Sequence, residues 1–376
     1  MRRRPTRVAA AFVACGTGLI LLAGPAQASW LVVLGALVLG VVLGSLPVRH
    51  RLHEAVVEVA GAERARVGDA VTFRVRVHAP RHPLPVLRLE LQGPPYGDVP
   101  LLIERIAGGS GAELAVTAVA TRRGRFETQP VRLLTGAPFG LLRSTAVLAA
   151  ACRVDVGAAI VPVPTHVLRS ITGSADDASE RRRGVGDEVH AVREFRSGDA
   201  LRHVHWRSTA RVGRLVVREY ERPVPTRTTV AVAGSGPVDA FEALVSAAAS
   251  VAHAVWRAGE PVDALRVVPG GGVDVVRGAS QHGLLAWSAA IEPGPADLRE
   301  VARVATDEAA PSYAVLALGH EAAHVGEACA LLAAAGCEVT VIELPGAGAG
   351  LPPSVRRRVL QPDVELVAAL AERSPA

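Results

Sequence analysis

Two apolar runs, Val8–Ala26 and Trp30–Val48, constrain this chain more than any other feature, because each is 19 residues long and carries no charge. A helix rises about 1.5 Å per residue, so each run just matches a hydrocarbon core of about 30 Å. Only Gln27, Ala28 and Ser29 separate them, which predicts a helical hairpin with a tight turn. Arg2, Arg3, Arg4 and Arg7 precede the first run, and Arg49 and Arg51 follow the second. Positive charge at both outer ends predicts two transmembrane helices (8–26 and 30–48, within residues 1–51) whose ends both face the cytoplasm. The competing reading is a cleavable signal peptide, since MRRRPTR, an apolar stretch and Ala26-Gln27-Ala28 have the form of n-, h- and c-regions. Cleavage after Ala28 would still leave Trp30–Val48 as a span. Both readings therefore predict a protein of the cell (cytoplasmic) membrane with its soluble domains in the cytoplasm; the hairpin is the multi-pass version, favoured because an apolar run follows the cleavage site at once.

The remaining length suits two or three domains, since the chain has 376 residues in all. All 41 of its basic residues are Arg, so a coding bias accounts for much of the Arg content, and placement says more than number. From Arg181 to Arg222 there are 11 Arg and 6 acidic residues, a local charge of +5 that equals the net charge of the whole chain. Basic character is thus concentrated beside the apolar runs and in this central stretch. The four cysteines, Cys15, Cys152, Cys329 and Cys337, show no metal or CxxC spacing and read as reduced, buried small side chains.

Between residues 52 and 150 the hydrophobic period is two. Val71, Phe73, Val75 and Val77 alternate with Thr72, Arg74, Arg76 and His78, and Leu87, Leu89 and Leu91 repeat the pattern. Further strands are expected at 55–60, 113–120, 126–133 and 141–148, with turn signals at Gly68-Asp69, Gly93-Pro94-Pro95, Gly108-Gly109 and Pro138-Phe139-Gly140. This spacing predicts a β-sandwich domain. Residues 158–163 read as a short strand and 165–186 as a long, polar, mobile loop. From residue 226 to 350 apolar strands (229–233, 262–268, 313–318, 339–344) alternate with helices at 238–258, 296–307 and 321–335. Continuous apolar strands between amphipathic helices predict a doubly wound α/β domain with ligands at the carboxyl ends of its strands. The tail, 351–376, carries one short helix and no motif.

Chemistry concentrates in 151–225, above all in Gly184–Glu221. On a strand His203 and His205 would share a face and, with Asp199, form a metal-like set for a metal-dependent hydrolase; no second cluster supports it. Carboxylates here are surrounded by Arg, which favours their charged forms and ion pairing over general-acid work. Arg193, Arg196, Arg202, Arg207, Arg211, Arg214 and Arg218 beside Trp206 and Tyr220 suit nucleic-acid or anionic-ligand binding, but interleaved acids and the absence of Lys favour an acidic protein partner, which explains the same charges. Without Lys, GxGxxG or GK[ST] the chain lacks a phosphate cradle, which argues against nucleotide hydrolysis.

Gly184-Val185-Gly186-Asp187-Glu188-Val189, Arg193-Glu194-Phe195, Ser197-Gly198-Asp199, Arg202 to Trp206, Ala210-Arg211 and Leu215 to Glu219 occur in the order and spacing that resemble the family called domain of unknown function 58. The pattern departs at Val189, where an aromatic is usual, and at His205, where Asp is frequent. Arg123 to Phe126 and Pro138 to Leu141 resemble elements of its longer members, and the α/β part is similar to a von Willebrand factor type A domain. Those domains place Asp-x-Ser-x-Ser after the first strand to hold a divalent ion. Ala233-Gly234-Ser235-Gly236-Pro237 stands here, so the site is degenerate at Ala233 and Ser235 and no metal or other cofactor is expected. The resemblance implies a non-enzymatic membrane-anchored scaffold or adaptor working with a MoxR-type AAA+ ATPase in protein assembly or envelope functions. Its interaction face would comprise Glu188, Arg193, Glu194, Phe195, Gly198, Asp199, Arg202, His205, Trp206, Ala210, Arg211 and Glu219, with Phe195 and Trp206 as anchors.

Overall fold

A computed structural model describes residues 2–25, 28–47, 51–172, 191–195, 204–219, 227–268, 271–307, 310–347, 350–361 and 366–371. The chain forms two compact units, Met1–Gly157 and Ala158–Ala376.

In the first unit a short strand, β1 (Arg2–Pro5), runs directly into helix α1 (Arg7–Ala23), and α2 (Ser29–Ser45) returns beside it. Gly16 and Gly35 let the two helices touch backbone to backbone, since a Cβ on Gly35 would lie 2.6 Å from Gly16 O. Each helix has 17 residues, fewer than the apolar runs promised. Pro25 has no N–H with which to continue the helical ladder, so α1 stops at Ala23 with Gly24 as its cap, and Pro47 follows the end of α2. Among the described residues, the helix long and apolar enough to cross a membrane is Val238–Arg257, the buried core helix of the second unit. The outward faces of α1 and α2 nevertheless stay apolar and exposed, at Phe12, Leu21, Trp30, Val33, Leu37 and Leu43.

The rest of this unit is one sheet. Its strands are β2 (Val56–Ala60), β3 (Arg64–Arg66), β4 (Ala70–His78), β5 (Leu87–Leu91), β6 (Val99–Ile103), β7 (Gly111–Val119), β8 (Gly124–Thr135) and β9 (Leu142–Gly157). The order is β6-β5-β8-β9-β2-β4-β7, with β1 and β3 also paired to β9. Where two stacked sheets were expected, the ladder is continuous and folds over a single core. Val71, Phe73, Val75 and Val77 of β4 meet Leu87, Leu89 and Leu91 of β5 there, although these strands lie far apart in the order. Strand β9 continues to Gly157, past the boundary expected at residue 150.

The second unit holds a six-stranded sheet of order β14-β13-β12-β16-β18-β19. These are β12 (Thr228–Ala233), β13 (Val262–Val267), β14 (Val273–Val276), β16 (Tyr313–Leu318), β18 (Glu338–Glu343) and β19 (Arg356–Val359), while β15 (Ala296–Asp297) and β17 (Ala322–Ala323) form a separate parallel pair. All neighbours are parallel except β13 and β14. Alternate residues of one strand feed two cores. Val230 and Val232 of β12 pack with α5 (Val238–Arg257) and α6 (Gln281–Ala289), while Ala231 and Ala233 pack with α7 (Leu298–Thr306) and α8 (Val325–Ala334). Helices thus cover both faces, which is why the strands read as unbroken apolar runs.

Two stretches of this unit differ from expectation. Residues 158–163 form no strand: Pro162 and Pro164 lack N–H donors, and the backbone is satisfied by serines, with Ser246 Oγ donating to Ala159 O at 2.7 Å and Val161 N donating to Ser250 Oγ at 2.9 Å. The polar segment that follows begins not as a loop but as helix α3 (Thr165–Thr172), because Val167 and Ile171 stand four residues apart and reach the same core as α5. The remainder of that segment, 173–186, lies outside the described residues. The tail carries the short helix expected of it. Arg358 of β19, 1% exposed, donates to Ser170 Oγ at 3.1 Å and to Ala371 O at 3.3 Å, tying α3 and α9 (Leu366–Ala371) to the sheet.

The register of α8 offers a direct check. Leu332 is 1% exposed and its neighbour Leu331 is 51% exposed. Leu332→Ala is expected to cost about 2–5 kcal/mol, and Leu331→Ala within about 0.5 kcal/mol, in chemical unfolding.

Candidate functional site

Three short elements carry the described part of the central stretch: β10 (Ala191–Glu194), α4 (Trp206–Val212) and β11 (Val216–Glu219). Strands β10 and β11 pair antiparallel, Arg193 opposite Val217 and Glu194 opposite Val216. The ladder is extended by Phe195 N, which donates to Leu215 O at 3.0 Å. Gly213 closes α4 in the left-handed region, with φ of 71°, so the chain reverses straight into β11. Two bonds fix the helix to that strand: His205 N donates to Val216 O at 2.8 Å, and Val216 N donates to Thr209 Oγ1 at 3.2 Å. Val204 and Val216 are buried beneath them.

His205 is the residue that precedes α4, its Nδ1 lies 2.6 Å from Ser208 Oγ, and the chain turns helical at Trp206. Glu188, Gly198, Asp199, Arg202 and His203 lie outside the described residues, so the metal-like set is represented by His205 alone. Among the described residues no group of three or more His, Cys, Asp or Glu is arranged to hold a metal ion. Arg193, Glu194 and Glu219 occupy the hairpin strands, and Phe195 is half-buried. Trp206 faces outward. It stands 65% exposed, with Arg207, Ala210 and Arg211 exposed on the same short helix.

Residues 191–270 match the family model described as Protein of unknown function DUF58. The DUF58 match spans the β10–α4–β11 element and continues through β12, α5 and β13 into the parallel sheet. No curated protein matches the chain.

Strand order reverses between β12 and β16 within the second unit, the place where a doubly wound sheet ordinarily opens a ligand crevice. Here the crevice is filled by backbone. Ser235 and His320 exchange two bonds of 2.7 Å, Gly319 N donates to Ala233 O at 2.8 Å, and Gly294 N donates to Gly234 O at 3.1 Å. Gly234, with φ of 101°, permits this approach; a Cβ there would lie 2.6 Å from His320 O. The Ser235 hydroxyl donates to Glu321 Oε2 at 2.7 Å, so Ser235 serves the loop beside it.

Sequence reasoning missed the charged rim around this crest. Asp297 caps α7 by accepting from Arg299 N at 3.0 Å, and its Oδ1 lies 3.3 Å from His324 Nδ1. The Arg299 guanidinium bonded to it holds the Asp297 carboxyl down to about 2. Glu321 and His324 both adopt left-handed backbone, with φ of 61° and 59°. The legible signal was Asp297 immediately before an amphipathic run, a helix start. Further along the sheet Glu343 is fully buried and ion-paired with Arg357, which the Arg356-Arg357-Arg358 run by itself did not disclose.

The sealed crest gives an expected outcome. Gly319→Ala would drive a Cβ into Ser235 O and should destabilise the protein by about 1–3 kcal/mol in thermal unfolding. Gly294→Ala, with open space at its Cβ, should leave the unfolding midpoint unchanged.

Proposed function

We propose that this chain is a non-enzymatic, membrane-anchored scaffold or adaptor that works with a MoxR-type AAA+ ATPase in protein assembly or envelope functions. The observation that carries the reading is the exposure of Trp206 beside Arg207 and Arg211 on a helix bolted to β11. Trp and Arg on a rigid element are the residue types that dominate protein–protein binding energy. In this reading the α/β unit is a von Willebrand factor type A-like domain whose metal position has been given over to Ser235–Glu321 pairing, so recognition runs through side chains and needs no bridging cation. Helices α1 and α2 would anchor the protein, with the basic residues at Arg3, Arg4 and Arg7 held on the cytoplasmic side. Their uninterrupted exposed apolar faces support this, because water-facing patches of that extent mark membrane or partner contact.

Affinity purification of the full chain from detergent-solubilised membranes tests the proposal. Wild type should recover an AAA+ ATPase. Trp206→Ala, with unchanged circular dichroism, should weaken that recovery by at least about 30-fold, the equivalent of a 2 kcal/mol hot spot. Equal recovery by both proteins, or no specific partner for either, would count decisively against it.

A further inference from the structure

The base of the apolar hairpin carries a charge arrangement that the adaptor reading does not use. In the β1–β9 ladder Arg4 stands directly opposite Arg143. Directly opposed residues share a face, and like charges so placed are unfavourable unless something neutralises them. Both are exposed, as is Arg7 at the first position of α1, and the ion pairs among the described residues include none of the three. Arg143 also lines a groove of about 410 Å³ together with Thr6, Arg88, Glu90, Leu102 and Gly140, where the Glu90 carboxylate is already paired with Arg88 at 2.8 Å.

Apolar surface adjoins that groove. The turn at Pro138-Phe139-Gly140 is fastened to the foot of α1: Thr6 N donates to Leu141 O at 2.9 Å, and the Thr6 hydroxyl donates to Gly140 O at 2.8 Å. Phe139 projects from it, 58% exposed. With Val33, Leu37, Gly40, Val41 and Gly44 of α2 it lines an apolar furrow of about 690 Å³. Within a few residues of chain there is therefore a cationic pair, a groove and an apolar channel that continues along α2.

We infer that Arg4 and Arg143 grip the phosphate of an anionic phospholipid, with an acyl chain lying beside Phe139 in the furrow of α2. The inference rests on the reading of α1 and α2 as membrane-embedded. Charge complementarity and continuity with the hairpin's apolar face select a lipid over a soluble anion, which would leave Phe139 and the furrow in water. The β-sheet domain would then lie directly on the membrane surface.

The test uses the full chain with Cys15→Ser, reconstituted in phosphatidylcholine vesicles containing phosphatidylglycerol. A fluorophore is placed at Phe139→Cys, and in separate proteins at Leu37→Cys and Val147→Cys. Brominated phosphatidylglycerol should quench the label at 139 at least about twofold more than brominated phosphatidylcholine, and the label at 147 should stay unquenched. Arg4→Ser with Arg143→Ser should abolish the lipid preference while leaving quenching at 37 intact. Quenching at 37 without quenching at 139, or a preference that survives the double substitution, overturns this inference alone. Absence of quenching at 37 overturns it together with the membrane reading.

Discussion

Strand β9 is the constraint on which the rest of the first unit depends. It pairs with β8 along most of its length, with β2 and β3 towards its end, and with β1 at its start. The β1 pairing matters most, because only Thr6 separates that strand from helix α1. A hairpin with an exposed apolar surface is thereby joined to a folded β-domain by a backbone ladder, in place of a flexible linker. Thr6 strengthens the joint by capping α1, accepting from Ala9 N at 3.3 Å, while its own hydroxyl hydrogen goes to the Gly140 carbonyl. At its other end β9 leads at Gly157 into Ala158, which belongs to the α/β core of the second unit.

The second unit applies a different logic to a position that commonly binds ligands. Its sheet has the parallel order and two-sided helical cover that create a crevice between β12 and β16. Gly234 and Gly319 let the two connecting loops approach until their backbones bond to one another. Charged side chains remain around the rim, but they are committed to capping and pairing, as Asp297 is with Arg299. The features left to engage another molecule are surface ones, above all Trp206 and its Arg neighbours.

How far the sequence disclosed this depended on whether the decisive interaction was local. The alternation through Val71, Phe73, Val75 and Val77 and the helix at 238–258 were legible, and the apolar side chains of both, Phe241, Leu244 and Val251 among them, are buried. Periodicity is set by the backbone of a single element, so it survives without knowledge of partners. The length of β9, the role of Arg358 and the pairing of Glu343 with Arg357 were illegible because each depends on a distant segment. Trp206 was named for an interaction face from composition alone; its outward position, 65% exposed on α4, depends on how that helix is fastened to β11. Helix α3 was overlooked because Ser and Gly near it suggested a loop, although Val167 and Ile171 already had helical spacing.

The central claim is that the apolar hairpin anchors the chain in a membrane and holds both folded units on the cytoplasmic side. The most direct measurement is protease accessibility in sealed vesicles whose outer face corresponds to the cell exterior. Protease added outside should leave everything after Arg51 intact, with digestion of that region only when the membrane is permeabilised. Cleavage within residues 52–376 in sealed vesicles, or release of the intact chain into the supernatant by alkaline washing, would contradict the account.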